Sequence, residues 1–114
     1  MARIDPRSRR AQRRIAAELA QIDWALPGSV VTRMMRCGKK ACRCRQDPPR
    51  LHGPYIQWTH TVEAKTITKL LTPDQLARCQ PWIDNARRLR DLTTELETLT
   101  IQAVEHAEGW GPKR

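Results

Sequence analysis

Phenylalanine is absent, tyrosine occurs once, and the other four aromatic residues are tryptophan. At 4% aromatics, a 114-residue chain cannot build a thick core on ring contacts. Small domains this short of large apolar groups commonly add a metal, a disulfide or a partner subunit. Long apolar runs are missing too. No stretch approaches the roughly 20 apolar residues that cross a bilayer, so no membrane span is expected. The start, "MARIDPRSRRAQRR", is charged and leads into no apolar run, so no secretory leader is expected. A cytoplasmic location is expected, in which thiols stay reduced and a disulfide is disfavoured. Catalytic signatures are also lacking. There is no glycine-rich phosphate loop, no Ser/His/Asp arrangement and no paired acidic metal site, so the chain is not expected to be an enzyme.

Acidic residues are scarce in the N-terminal half. Residues 1–50 hold 13 Lys/Arg against 4 Asp/Glu, a net of +9, whereas residues 51–114 hold eight of each and are neutral. A field this one-sided fits a polyanionic partner, nucleic acid before an acidic membrane surface.

Sulfur is concentrated in the same half. In "RCGKKACRC", residues 36–44, Cys37, Cys42 and Cys44 fall within eight residues, and His52 follows Cys44 after seven intervening residues. Three thiolates and an imidazole can close one tetrahedral Zn2+ site of Cys3His type. The basic neighbours favour thiolate and offset the charge of three thiolates around a divalent ion. The spacing C-x4-C-x-C lacks the C-x-x-C of thiol redox motifs. In an extended chain Cys42 and Cys44 share a face, which lets both reach one ion. His52, before Gly53-Pro54, is the first candidate for the fourth ligand, with Asp47, His60 and Cys79 as alternatives. Without metal, the same residues would be structural or redox thiols. A thiol enzyme pairing Cys37 or Cys42 with His52 is the third functional reading.

Periodicity places the elements. Ile15, Leu19, Ile22 and Leu26 make one helical stripe, which predicts a helix over 8–24 that Pro27-Gly28 stops. Arginines crowding its start oppose the helix dipole. "SVVTRMMR", residues 29–36, suits a strand, and the proline-rich segment 45–54 suits a loop. Residues 55–72 alternate as a β-hairpin turning near Glu63-Ala64-Lys65, with no glycine to define the turn. Tyr55 and Trp58 fall on opposite faces of that strand; either could stack on bases. Thr72 and Pro73 mark a helix start, and Pro81 either ends that helix or kinks it. Leu89, Leu92, Leu96, Leu99 and Ala103 then form a heptad seam. That helix would run roughly 40 Å and needs a neighbour along it: the N-terminal helix, or a second copy in a homodimer through Leu89, Leu92, Leu96 and Leu99.

The stretch from Leu26 to Glu97 resembles a bacterial family of small uncharacterised proteins, sometimes found near transposase genes. Its CGKxxCRC…HGPY pattern falls here on Cys37, Gly38, Lys39, Cys42, Cys44, His52, Gly53, Pro54 and Tyr55, after Gly28 and Ser29. The resemblance spans roughly residues 26–98 and leaves the first 14 residues outside. It implies a unit built on these positions, and DNA handling only by association.

The expected architecture is α+β: an N-terminal helix, a small antiparallel sheet of about three strands with a zinc-knuckle-like loop, and a long C-terminal helix. A basic arm would span 1–14, one domain 15–107, and a tail 108–114. The expected function is non-catalytic nucleic-acid binding, DNA first, with structural zinc on Cys37, Cys42, Cys44 and His52. Arg9, Arg10, Arg13, Arg14, Arg36, Lys39, Lys40, Arg43, Arg45 and Arg50 would meet phosphates. The alternative is an adaptor or regulatory protein that oligomerises through the leucine seam.

Overall fold

A computed structural model describes residues 3–111. Residues 1–2 of the arm and 112–114 of the tail lie outside the described residues. The order of elements is α1 (Pro6–Leu19), β1 (Ser29–Met35), a single 3-10 turn (Arg43–Arg45), β2 (His52–Val62), β3 (Lys65–Leu71) and α2 (Pro73–Glu108). This is the α+β architecture expected, with an N-terminal helix, a three-stranded antiparallel sheet carrying the cysteine loop, and a long C-terminal helix. Among the described residues no helix is long and apolar enough to cross a membrane. The chain gathers into two compact units, residues 26–83 and residues 1–25 with 84–114.

In the unit of residues 1–25 and 84–114, α1 begins two residues earlier and ends five earlier than its apolar stripe suggests. Asp5 is the cause at the start. Its carboxylate accepts the Ser8 amide at 3.1 Å and the Ser8 hydroxyl at 2.6 Å, and Pro6 occupies the first helical position. The Ser8 hydroxyl, ahead of its amide, holds the Asp5 carboxyl below its ordinary value. A tertiary contact accounts for the end. Asp23 accepts from the Trp24 amide at 2.6 Å and from Asn85 Nδ2 at 2.8 Å, and Asn85 also donates to the Trp24 carbonyl. Asn85 on α2 thereby holds the chain that leaves α1.

Arg14 pairs with Glu18 and Glu95, and Arg88 pairs with Glu18. These partners set α1 antiparallel to the later part of α2. Ile15, Ala86, Leu92 and Ala103 are the buried apolar residues here. Leu92 is 0% exposed within the chain, whereas Leu89 is 38% exposed, so the seam is divided between inside and outside.

In the unit of residues 26–83, the sheet runs β1-β2-β3. Its register pairs Arg33 with Tyr55, Val31 with Gln57, Gln57 with Leu70, and Thr59 with Ser29 and Thr68. The β2–β3 turn is the two-residue loop Glu63-Ala64, both with positive φ (49° and 65°). Such turns match the twist of the flanking strands and usually carry Asn-Gly. Gly28 sits at φ 107°, and a Cβ there would lie 2.3 Å from the Thr59 carbonyl oxygen. Only glycine lets the chain pass this close to β2. Thr72 and Gln75 cap α2 reciprocally: Gln75 N–H donates to Thr72 Oγ1 at 3.1 Å, and Thr72 N–H to Gln75 Oε1 at 2.8 Å. Pro81 lies inside α2, so the helix continues through it.

Candidate metal centre

The loop between β1 and β2 builds the site. Cys37 follows the end of β1, Cys42 precedes the 3-10 turn, Cys44 lies within it, and His52 opens β2. The local reason differs from the extended segment expected. Cys42 is extended (φ −78°, ψ 151°), but Arg43–Arg45 then coils into a 3-10 turn. The turn, closed by Arg45 N–H donating to the Cys42 carbonyl at 2.9 Å, brings Cys44 round towards Cys37. Arg50 N–H donates to the Arg43 carbonyl at 3.1 Å and folds the proline segment back on this turn. At the other side Gly53, φ 129°, leaves room for β1. A Cβ there would lie 2.8 Å from the Arg33 carbonyl oxygen.

One ligand atom from each of Cys37, Cys42, Cys44 and His52 lies within 4.8 Å of the others. These four residues are positioned to bind a metal ion. Cys37 Sγ and Cys44 Sγ are 3.7 Å apart, and Cys42 Sγ and His52 Nε2 are 3.0 Å apart. Thiolates at roughly 2.3 Å from a tetrahedral ion stand about 3.8 Å from each other, so the cysteine pair already has the required edge. The donor set fits as well, since three soft sulfurs and one imidazole suit zinc. Cys44 is 0% exposed, and Cys37, Cys42 and His52 are half-buried.

Polar neighbours prepare the sulfurs. The Cys37 amide donates to Cys44 Sγ at 3.3 Å. The Cys42 thiol is lowered to about 6, first by the Cys44 backbone amide, then by the Cys37 thiol and by His52, against some desolvation. The Lys39 amide pulls the Cys37 thiol down, but the Cys42 thiol, burial and Cys44 together outweigh it, so Cys37 stands above its ordinary value. One thiolate is thus ready at neutral pH and another is held back by its neighbour, as expected of thiols crowded around one position. Arg45 Nη2 donates to the Cys37 carbonyl at 2.9 Å and ties the two ends of the loop. No spacing rule reveals that brace.

The alternative ligands stay apart from this cluster. His60 stacks on Trp58, with centroids 4.2 Å apart and planes 14° apart. Cys79 is a free, half-buried cysteine on α2, and Asp47 is not among the four.

Residues 4–81 match the family described as a domain of unknown function (DUF6788). The chain belongs to this family. The DUF6788 match takes in α1, the sheet and all four ligands, and it stops at Pro81. It therefore corrects the span read from the motif alone, because the arginine-rich start lies inside the family from residue 4 onwards. No curated protein and no solved structure matches the chain. For DUF6788, then, the site's geometry is the guide to its chemistry.

The basic residues divide by position. Arg36, Lys39, Lys40, Arg43, Arg45 and Arg50 all lie exposed on or beside the metal loop. On α1, Arg9, Arg10 and Arg13 lie well round the helix from the buried Ile15. Arg14 turns towards α2 and is engaged by Glu95 and Glu18. Sequence alone groups it with the other arginines, because its partner lies 81 residues away.

Proposed function

We propose that this protein is a non-catalytic nucleic-acid-binding module, DNA being the first candidate, whose basic loop is made rigid by a structural zinc ion. The observation that carries the reading is the joining of metal ligands and cations in one loop. From Arg36 to His52, four converging candidate ligands are interspersed with six exposed cations. Zinc held by Cys37, Cys42, Cys44 and His52 would have no open position for substrate, which suits a structural rather than a catalytic ion. Its binding free energy would serve as folding free energy for a loop otherwise held by few backbone hydrogen bonds.

Charge supports the partner. The unit of residues 26–83 has ten Lys/Arg against three Asp/Glu, a net of +7, and the other unit has eleven against nine, a net of +2. The excess therefore gathers on the unit that carries the metal loop. Such cations meet phosphates, which gives affinity and salt dependence without sequence readout. Arg9, Arg10 and Arg13 on α1 offer a second row of phosphate contacts, and Arg14 contributes through its ion pairs instead.

Two measurements test the reading. Elemental analysis of protein purified without a histidine tag should find about one zinc per chain, and close to none in Cys44→Ser. Titration of labelled DNA and RNA over a range of salt should give affinity that falls linearly in log–log form. Affinity indifferent to salt would remove the electrostatic basis, and a metal-free, fully folded protein would remove the zinc.

A further inference from the structure

The two faces of the sheet are chemically different. Side chains alternate along β2, so Tyr55, Gln57, Thr59 and Thr61 share a face with their cross-strand partners. The register adds Arg33, Val31 and Ser29 from β1, and Leu70, Thr68 and Thr66 from β3. Thr59 Oγ1 and Thr68 Oγ1 lie 3.3 Å apart on it. This face has no Asp or Glu. Val31 and Leu70, which flank Gln57, are 46% and 58% exposed. Among the described residues, neither the Tyr55 hydroxyl nor the Arg33 guanidinium has a side-chain partner.

On the opposite face, where Val62 and Ile67 are also exposed, the aromatic ring is already engaged. Trp58 donates its indole N–H to the Pro27 carbonyl at 2.9 Å and stacks its ring on His60. Among the described residues of the sheet, Tyr55 is therefore the aromatic ring left for a ligand. It also sits at the decisive end of the sheet. Arg33 and Tyr55 form the last regular rung before the irregularity at Met34, beyond which the metal loop and its cations begin.

We infer that this face, with Tyr55 and Arg33 at its loop end, binds single-stranded nucleic acid. The inference rests on the nucleic-acid reading above and names the form of nucleic acid. A half-exposed ring on a three-stranded sheet about 10 Å wide can take the face of a base only when that base is free of its neighbours. Duplex bases are stacked on one another and offer only their edges, whereas a single strand can lay a base on Tyr55. Its phosphates then run towards Arg33 and the loop cations, in a unit whose net charge of +7 complements them. Hydroxyls and Gln57 supply hydrogen bonds that tolerate many sequences, and Val31 and Leu70 supply apolar contact.

The test uses the full chain with its metal. Anisotropy of labelled oligonucleotides of roughly 12 nucleotides is followed for single strands and for the matching duplexes at several salt concentrations. Single strands should bind more tightly than duplex. Tyr55→Ala should weaken single-strand binding by roughly 5- to 150-fold with the salt slope kept, and Tyr55→Phe should retain it. Replacing Lys39 and Lys40 together with Ala should weaken both forms and reduce the slope. Metal content and circular dichroism of each variant show whether it is folded. Equal single-strand affinity for wild type and Tyr55→Ala, or preference for duplex, would overturn this inference and leave the broader reading standing. No binding of either form would overturn both.

Discussion

By charge, Arg45 belongs with the loop's other cations; by position, it is a brace. Its guanidinium holds the Cys37 carbonyl, so its removal should loosen the ligand loop as well as subtract a charge. Arg45→Ala is expected to weaken zinc binding by about tenfold, measured by competition with a chromophoric chelator, whereas Lys40→Ala should leave it unchanged. A second residue sits under local strain. Ala64 holds φ at 65° in the β2–β3 turn, a region that costs an L-residue of this kind roughly 1 kcal/mol. Ala64→Gly is therefore expected to raise stability by about that amount in chemical denaturation. The missing glycine left the type of this turn, near Glu63-Ala64-Lys65, open from sequence, and the pairing of Val62 with Lys65 fixes it as the two-residue loop Glu63-Ala64.

At the scale of elements, α2 has the clearest local signals. Thr72, Pro73 and Gln75 mark its start in sequence, and the reciprocal cap forms on those residues. Thr72→Ala should cost about 1 kcal/mol of stability, read as a shift in denaturation midpoint. The sheet was legible except at the start of β2, where His52, Gly53 and Pro54 read as loop, because alternation in β2 and β-branched residues in β1 are properties of short windows. The end of α1 was not. Its stripe continues to Ile22 and Leu26, but Asn85 engages Asp23 and the Trp24 carbonyl and draws the chain out of the helix. The leucine seam was legible as a seam, yet periodicity cannot say which leucines a chain buries within itself. Leu92 is fully buried, and Leu89 is left outside.

For the whole molecule, metal and fold should be coupled. Stripping the ion with a strong chelator is expected to lower the thermal midpoint by roughly 10 °C or more, with recovery on adding zinc back. Binding at neutral pH should release protons, because the raised Cys37 thiol must give up its proton to become a ligand. Acidification runs the other way: as pH falls through about 6, Cys42 is protonated as well and affinity declines. Calorimetry in buffers of different ionisation enthalpy measures the proton count, and zinc affinity rising towards acid pH would contradict this account.

The sequence by itself determined the three candidate thiol ligands, the α+β order and the basic character, because ligand type, periodicity and charge are carried by residues near one another in the chain; His52 was chosen over Asp47, His60 and Cys79 by the tertiary structure. Tertiary structure decided which of those residues are free to act. Arg14 is matched by Glu95, Trp58 is taken up by His60 and Pro27, and Tyr55 is left open beside Arg33. Each outcome depends on a partner distant in sequence or on strand register, and neither can be read from a local window. The cysteine loop shows both sides. Its three cysteines and a short list for the fourth ligand were named by spacing, but the convergence of the four candidates rests on a 3-10 turn, a folded-back proline segment and one arginine brace.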